Sequence, residues 1–248
     1  MKRTLFITGA SSGIGAACAR LGASPETHLL LHYGRNEAGV QEVADVARTR
    51  GAEVTLLQAD VGDPAAIRQM GLDASEAADP KLPLHLVNNA GIVDQKASLA
   101  DLTPERLQRM FAVNVIGAIL VAQQAVALMR RQNRGGAIVN VSSAAARLGS
   151  ANQFMDYAAS KGAIDTFTLG LADELAPEGI RVNAVRPGLI GTEIHAKGGD
   201  PDRADRLASG VPLGRVGTAE EVAETILWLL SDKAGYVTRT LVDVAGGR

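Results

Sequence analysis

Three side chains near the middle of the chain could together move a proton on and off an oxygen atom. Tyr157 and Lys161 lie four residues apart in a segment with helical spacing, so they share one face of the helix. A phenol has a pKa of about 10, and a neighbouring ammonium favours the phenolate and lowers that pKa. Ser143, or its neighbour Ser142, could hold the oxygen that gains or loses the proton. The group predicts acid–base chemistry of the kind that an alcohol–ketone interconversion needs, although a packed tyrosine and a solvated lysine would also explain the pair.

A glycine-rich turn near the start of the chain has the context of an anion site. It follows the apolar residues 4–8 and precedes a segment of helical spacing that runs to Arg20. Glycines allow a tight turn and let a phosphate group approach the N-terminus of the helix. A plain strand–helix turn would use the same glycines, so the prediction rests on the context more than on the spacing. The residues concerned are Gly9, Ser11, Ser12, Gly13 and Ile14.

The composition argues against several other classes of site and partner. The 248 residues are 46% hydrophobic but only 3% aromatic, so we expect a core of Ala, Val, Leu and Ile. A formal net charge of −2 gives no indication of a nucleic-acid or membrane partner. Cys18 is the single cysteine, which excludes an intramolecular disulfide and a cysteine-cluster zinc site, and we predict no metal site.

The apolar segments are too short to predict targeting or membrane insertion. The N-terminal apolar run reaches Gly9 too soon for a signal peptide. The longest uninterrupted apolar run, residues 115–122, is far shorter than the roughly 18 residues that a membrane span needs. We therefore expect a soluble cytoplasmic protein.

Strand-like and helix-like segments alternate along the chain, which predicts an α/β fold. We expect a doubly wound, Rossmann-type parallel sheet with helices on both faces, forming a single domain over residues 1–248. The predicted strands are residues 4–8, 28–33, 53–59, 84–87, 137–141, 180–185 and 240–244. The predicted helices include residues 37–50, 104–131, 156–175 and 218–230. Residues 190–217 are long, polar and glycine-rich, and we predict a substrate lid there, with a short helix at 204–209.

Four polar or glycine-rich segments follow predicted strands and should therefore meet at one edge of the sheet. In open α/β sheets, ligands bind beyond the carboxyl ends of the strands. The four segments are the glycine-rich turn, residues 88–91, Ser142 with Ser143, and Pro187 with Gly188. A fifth polar residue, Asn114, lies in the otherwise apolar stretch 111–121, where its amide must find partners. The sequence thus predicts one composite site.

In order along the chain, these motifs resemble the short-chain dehydrogenase/reductase family. The resemblance covers nearly the whole chain and is strong because the motifs occur together. They are Thr8-Gly9-x-x-x-Gly13-Ile14-Gly15, Asn88-Asn89-Ala90-Gly91, Asn114, Ser143, Tyr157-x-x-x-Lys161 and Pro187-Gly188. The resemblance implies an oxidoreductase that transfers a hydride between a nicotinamide cofactor and a ketone or secondary alcohol.

The resemblance also implies roles for single residues. Tyr157 is the expected general acid/base, Ser143 orients the substrate oxygen, and Lys161 lowers the pKa of Tyr157 and binds the nicotinamide ribose. Asn114 matches the residue that links Lys161 to a water relay. The other cofactor contacts it implies are Asp60, Val61, Asn89, Ala90, Gly91, Pro187, Gly188 and Thr192.

One departure from the family pattern leaves open which serine orients the substrate oxygen. The usual gap from the catalytic serine to the tyrosine is about 13 residues, whereas Ser143 lies 14 and Ser142 15 residues before Tyr157. We assign Ser143 and keep Ser142 as the alternative. Two other functions also stay open: a nucleotide-sugar epimerase or dehydratase, which shares the Tyr and Lys spacing, and a non-catalytic sensor of the nicotinamide cofactor.

The end of the second strand predicts which nicotinamide cofactor is used. An NAD enzyme normally has an acidic residue there, which binds the adenine ribose. No acidic residue occurs between Leu29 and Asn36, whereas Arg35 could bind a 2′-phosphate. Against this, Ser11 and Ser12 stand where many NADP enzymes of the family have a basic residue. We predict NADP(H) over NAD(H), and we expect nearby His32 to point into the sheet.

Substrate and assembly are predicted only in outline. Helices 104–131 and 156–175 are rich in Ala, Val and Leu, and in the family these helices pair across a dyad, so we expect a homotetramer or a homodimer. A polar lid favours a small polar substrate, unless its charges are simply solvated. The basic residues Arg130, Arg131 and Arg134 could instead dock an acidic acyl carrier or complement a helix dipole. The lid residues concerned are His195, Lys197, Asp200, Asp202 and Arg203.

Overall fold

The computed structural model describes residues 2–192, 198–199 and 206–248, and it is built on one sheet of seven strands. All neighbouring strands pair in parallel, in the order β3-β2-β1-β4-β5-β6-β7. The predicted Rossmann-type sheet is therefore confirmed. The strands are β1 (Arg3–Ile7), β2 (Thr27–Tyr33), β3 (Glu53–Gln58), β4 (Leu84–Asn88), β5 (Gly136–Val141), β6 (Ile180–Pro187) and β7 (Leu241–Val244).

Helices cover both faces of the sheet and create two separate apolar cores. One core lies between the sheet and α1, α2 and α8, and the other lies between the sheet and α3, α5 and α7. Both cores are built from Ala, Val, Leu and Ile, with few aromatic rings, as the composition predicts. The helices are α1 (Gly13–Gly22), α2 (Glu37–Thr49), α3 (Pro64–Ala77), α4 (Pro104–Phe111), α5 (Ala118–Gln132), α6 (Ala145–Leu148), α7 (Met155–Leu175) and α8 (Ala219–Leu230).

Local sequence signals explain where several helices begin. The carboxylate of Asp63 accepts a hydrogen bond from the backbone N–H of Ala65, and Pro64 occupies the first turn of α3. Thr218 and Glu221 form a reciprocal capping box at the start of α8. Ser12 precedes α1 with no side-chain cap, so the first backbone N–H groups of α1 keep their binding capacity.

The predicted helix over residues 104–131 is not regular. Between α4 and α5 the chain forms a wider π-helical segment, Ala112–Gly117. A Cβ atom at Gly117 would overlap the carbonyl oxygen of Val61, so glycine allows this segment to approach the end of β3 closely. Such π segments often occur at functional sites. Here the segment carries Asn114.

The same run, Pro104–Gln132, is long and apolar enough to cross a membrane by length and composition. Its mean hydropathy over an 18-residue window is 1.9, and 44% of that window is buried. The core helix of a soluble protein meets the same criterion, and α5 packs against α3 and β4. The run is therefore weak evidence for a membrane, and cytoplasmic localisation stays a prediction.

The predicted lid begins and ends at one point beside the sheet. The backbone N–H of Gly191 donates to the carbonyl of Gly217, and the N–H of Gly217 donates to the carbonyl of Leu189. Residues 193–197 and 200–205, which contain the lid charges noted above, lie outside the described residues. Within the described part, a 3₁₀ turn at Ala208–Gly210 stands near the predicted helix 204–209.

Candidate active site

The glycine-rich turn has the backbone geometry of an anion cradle. Gly9 and Gly13 have φ values of +66° and +54°, in the left-handed region that favours glycine. A Cβ atom on Gly9 would lie 2.9 Å from the amide nitrogen of Asn89, and one on Gly15 would overlap the carbonyl oxygen of Gly9. Glycine is therefore required at both positions. The turn leaves the N-terminus of α1 accessible to a negatively charged group.

Hydrogen bonds attach this turn to the end of β4. The hydroxyl of Thr8 accepts from the backbone N–H groups of Asn89 and Ala90, both at 2.9 Å. The amide of Asn89 donates to the carbonyl oxygens of Thr8 and Gly9, at 2.9 and 3.2 Å. Asn88, by contrast, points away from the cleft and donates to Ala118 and Asn140. The two motifs therefore form one rigid wall.

A cleft of about 660 Å³ runs along the carboxyl edge from this wall to the end of β2. Twelve of the predicted cofactor residues line it: Gly9, Ser11, Ser12, Gly13, Ile14, Arg35, Asp60, Val61, Asn89, Ala90, Gly91 and Thr192. His32 is buried, as expected, at 2% exposure, and it also lies at the wall of this cleft. Its ring nitrogens contact Gly9 and Ala59. The side chain of Arg35 is exposed and makes no ion pair within the described residues.

Tyr157 and Lys161 occupy the first turns of α7, at the other end of the groove. The Lys161 ammonium is 5.7 Å from the centre of the Tyr157 ring and donates a 2.8 Å hydrogen bond to the carbonyl of Val141. Burial lowers the pKa of Lys161 to about 8, against an opposing effect of Asp165. With Pro187 and Gly188, the pair lines a small pocket that continues from the cleft.

Burial raises the pKa of the Tyr157 phenol, and a hydrogen bond with Ser143 partly opposes the shift. The protein groups alone therefore do not produce the expected lowering of the Tyr157 pKa by Lys161. A phenol with a raised pKa keeps its proton at neutral pH. In this arrangement Tyr157 is a proton donor, which suits protonation of a carbonyl oxygen.

The two candidate serines point in different directions, as neighbours after a strand should. The Ser143 hydroxyl contacts Tyr157 and accepts from the backbone N–H of Ala145 at 3.1 Å. The Ser142 hydroxyl is buried and donates to the carbonyl of Lys161 at 3.2 Å. Ser143 is thus the serine beside the phenol, while Ser142 anchors the helix that carries Lys161.

Asn114 is 1% exposed and its amide is fully used. Its oxygen accepts from the backbone N–H of Ile92 at 2.8 Å, and its nitrogen donates to the carbonyl of Ile92 and to the hydroxyl of Ser160. A Cβ atom on Gly91 would lie 3.2 Å from the Asn114 oxygen and 3.5 Å from the Lys161 ammonium. Asn114 therefore holds the segment after β4 against the first turns of α7.

A second pocket, of about 330 Å³, opens beside Ser143 and Tyr157. Its other lining residues are largely apolar and include Leu148, Phe154 and Leu189. Sequence reasoning did not find this pocket, because its walls come from α6, the start of α7 and the chain after β6. Only the phenol and serine shared with the adjoining pocket mark it as a place for a reacting group.

The basic cluster on α5 lies far from this edge. Arg130 forms ion pairs with Glu178 and Glu174, and Arg131 hydrogen-bonds Ser75. Arg134 precedes the amino end of β5, so the cluster stands at the opposite edge of the sheet. Docking of an acyl carrier at this cluster stays a prediction.

Comparison with known proteins agrees with this architecture. The family model described as enoyl-(acyl carrier protein) reductase matches residues 9–248. The uncharacterized oxidoreductase YgfF of Escherichia coli strain K12 is 48% identical, over 98% of this chain and 98% of its own. An NADPH-dependent aldehyde reductase-like protein, chloroplastic, of Arabidopsis thaliana is 34% identical over 99% and 93% of the two chains. The crystal structure of a short-chain type dehydrogenase/reductase from Mycobacterium marinum has a TM-score of 0.91 at 32% identity, over 99% and 94%.

A parallel Rossmann-type sheet with a glycine-rich turn and a Tyr–Lys pair at one edge is typical of dinucleotide-binding oxidoreductases. The chain belongs to the short-chain dehydrogenase/reductase family. The family implies a nicotinamide cofactor, and the residues present fit one. The left-handed glycines, the accessible N-terminus of α1 and the adjoining cleft provide a place for a pyrophosphate and the nucleoside next to it.

Proposed function

We propose that the protein interconverts a carbonyl compound and the corresponding alcohol, preferably a ketone and a secondary alcohol, with Tyr157 as the general acid/base. The observation that carries this proposal is the position of the Tyr157 phenol. The phenol and the neighbouring Ser143 line both the small pocket next to the cofactor cleft and the second pocket. A carbonyl oxygen bound there would lie within reach of both hydroxyls.

In the direction of reduction, the phenol of Tyr157 donates its proton to the carbonyl oxygen, and Ser143 holds that oxygen. The raised pKa of Tyr157 keeps this proton available at neutral pH. Lys161, held by the carbonyl of Val141, places a positive charge beside the phenol and stabilises the phenolate that remains. Asn114 bonds both the chain after β4 and the residue before Lys161, so it fixes their relative positions. No side chain carries a hydride, so the hydride is the contribution of a bound nicotinamide cofactor.

The cofactor proposed here is NADP(H) in preference to NAD(H). Arg35 lines the cleft at the end of β2, is exposed, and has no acidic partner within the described residues. A guanidinium with free donors can bind a 2′-phosphate through paired hydrogen bonds. The name of the Arabidopsis relative, which includes NADPH dependence, supports the same preference.

The substrate proposed here is a compact carbonyl compound with an apolar part. The described lining of the second pocket combines apolar residues such as Leu148 and Phe154 with the polar Gln153 and Arg248, and its volume is about 330 Å³. This differs from the small polar substrate expected from the lid charges, which lie outside the described residues. An acyl group delivered by a carrier would have to reach this pocket from the carboxyl edge.

A panel of carbonyl compounds tests the function directly. We expect the purified protein to oxidise NADPH, followed at 340 nm, with at least one compact ketone or aldehyde at pH 7, and to do so more slowly with NADH. Omission of the protein and of the carbonyl compound are the controls. Binding of the cofactor without turnover of any carbonyl compound would favour the cofactor-sensor hypothesis. Turnover of a nucleotide sugar without net change in cofactor would favour the epimerase or dehydratase.

The proposed assembly is a homotetramer or a homodimer. The helical run Pro104–Gln132 contains an 18-residue stretch with a mean hydropathy of 1.9, of which only 44% is buried. Ile116 within the run is 52% exposed. An apolar helix face of this kind is suited to a symmetric interface with a second copy. Light scattering at micromolar concentration should therefore give at least twice 25.8 kDa, the mass of the chain, and a monomer would contradict the proposal.

A further inference from the structure

The side chain and backbone of His32 contact several segments that form the cofactor cleft. No sequence motif predicts these contacts. Its side chain is 2% exposed at the carboxyl end of β2. The Nδ1 atom accepts a hydrogen bond from the backbone N–H of Gly9 at 3.1 Å. The Nε2 atom lies 3.1 Å from the carbonyl oxygen of Ala59, and the backbone carbonyl of His32 accepts from the N–H of Ala10. One residue therefore links the glycine-rich turn, β2 and the end of β3.

These contacts define the tautomer of the ring. Nδ1 faces an N–H donor, so it must carry a lone pair, and Nε2 faces a carbonyl oxygen, so it must carry the proton. Protonation at Nδ1 would turn two donors toward each other and break the bond to Gly9. Gly9 is the residue whose left-handed φ shapes the start of the turn.

We infer that His32 is a positioning residue for the cofactor, which holds the glycine-rich turn in its binding shape only while the imidazole is neutral. The inference rests on the proposed function, since it concerns the same cofactor cleft. It predicts that affinity for a dinucleotide falls as the medium becomes acidic, because the turn loses its tether. An imidazole that contacted the phosphates as a cation would give the opposite trend.

The surroundings of His32 favour the neutral ring. Burial lowers the pKa of His32, while the Ala59 carbonyl and the Asp60 carboxylate oppose that shift. The glycine-rich turn has no ionisable side chain between residues 8 and 17. Arg35 and Arg109 line the same cleft and carry positive charge, and Arg109 is paired with Asp94. The ring is therefore neutral at pH 7.5 and becomes charged only at acidic pH.

The test is the dissociation constant of NAD⁺, measured by calorimetry from pH 5 to 8 on the folded protein. NAD⁺ is chosen because it lacks a 2′-phosphate, which itself titrates near pH 6. Because the pKa of His32 is lowered, the loss should occur mainly below pH 6, and we expect binding by the parent protein to weaken about threefold between pH 7.5 and 5. His32→Asn keeps an acceptor near Gly9 but does not titrate, so its binding should change less than twofold over that range. His32→Leu, without an acceptor, should bind about tenfold more weakly at every pH.

His28→Asn is the matched control. His28 lies on the same strand and contacts Thr55, away from the cleft, so this variant should keep the pH dependence of the parent. An equal pH dependence in the parent and in His32→Asn would overturn the inference, and so would tighter binding at acidic pH. A parent that binds neither NAD⁺ nor NADP⁺ at any pH would instead contradict the proposed function. Circular dichroism at each pH checks that every variant remains folded.

Discussion

The two ends of the cofactor groove are built in different ways. At the catalytic end, side chains are buried and bonded to the protein: Lys161 is 5% exposed and bound to Val141, and Asn114 is bound to Ile92 and Ser160. At the ribose end, Arg35 and Asp60 are exposed. A preorganised end can stabilise a transition state, whereas an exposed end contributes mainly affinity and selectivity. Substitutions at the two ends should therefore fail in different ways.

The largest effect is expected from Tyr157→Phe. The change removes only the hydroxyl that donates the proton, and such proton transfer contributes about 10²–10⁴-fold to rates. We expect kcat to fall by at least 100-fold, while the dissociation constant of NADP⁺ stays within threefold of the parent. Steady-state kinetics and calorimetry give the two quantities. A variant that keeps more than a tenth of the parent rate would remove Tyr157 from the role of acid/base.

Lys161→Met should separate activity from stability at the catalytic end. We expect kcat/KM to fall about 100-fold, because the positive charge beside the phenol is lost. Burial lowers the pKa of Lys161 to about 8, so the folded state holds its proton less tightly than the unfolded state. The unfolded chain then binds more protons between pH 8 and about 10.4, and the stability of the parent rises over that interval.

Thermal unfolding of both proteins checks this sign. Relative to Lys161→Met, the parent should gain stability as the pH rises from about 8 to 10, since the cost of a buried ammonium disappears. Below pH 8 the difference between the two proteins should be constant. A parent that loses stability relative to the variant over the alkaline interval would show that the ammonium is stabilised by its site.

The sequence could predict the features that depend on local pattern and on topology. Seven strands were predictable because buried parallel strands are short apolar runs bounded by turn residues, and their predicted ends differ from the structure by no more than two residues. The rule that parallel strands share an edge also predicted that four segments meet there: the glycine-rich turn, residues 88–91, Ser142 with Ser143, and Pro187 with Gly188. These features depend on local pattern and topology alone.

Features that depend on contacts between distant segments could not be predicted. The π segment around Asn114 and the close approach of its Gly117 to Val61 are not revealed by a helical pattern over residues 104–131. The spacing to Tyr157 left Ser142 and Ser143 open, whereas the direction of each side chain distinguishes them in space. The burial of His32 was expected, but its hydrogen bond with Gly9 appears only in three dimensions.

Asn114→Leu tests whether the hydrogen bonds of Asn114 hold the residues around Tyr157 and Lys161 in place. The change leaves the backbone N–H and carbonyl of Ile92 without their partner, and an unsatisfied buried group costs about 1–3 kcal/mol. We expect the free energy of unfolding to fall by about 2–4 kcal/mol and kcat to fall about tenfold. Asn114→Asp keeps the acceptor for the N–H of Ile92, but it turns a second acceptor toward the carbonyl of Ile92 and buries a carboxylate, so it should be no more stable than Asn114→Leu. An unchanged stability of Asn114→Leu would show that the hydrogen bonds to Ile92 are unimportant.

The smallest effect on the rate at saturating cofactor is expected at the ribose end, from Arg35→Ala. If Arg35 binds a 2′-phosphate through charged hydrogen bonds, its loss should weaken NADP(H) more than NAD(H) by roughly 1.5–3 kcal/mol. This corresponds to a change of about 10- to 150-fold in the ratio of kcat/KM for the two cofactors. The rate at saturating NADPH should change little, because Arg35 is remote from Tyr157.

Arg134→Ala removes the same charge at the opposite edge of the sheet and should leave the ratio unchanged, which separates a local contact from a general electrostatic effect. An unchanged ratio in Arg35→Ala would remove Arg35 from the site. A parent that prefers NAD(H) would overturn the proposed cofactor preference while leaving the roles of Tyr157 and Lys161 intact.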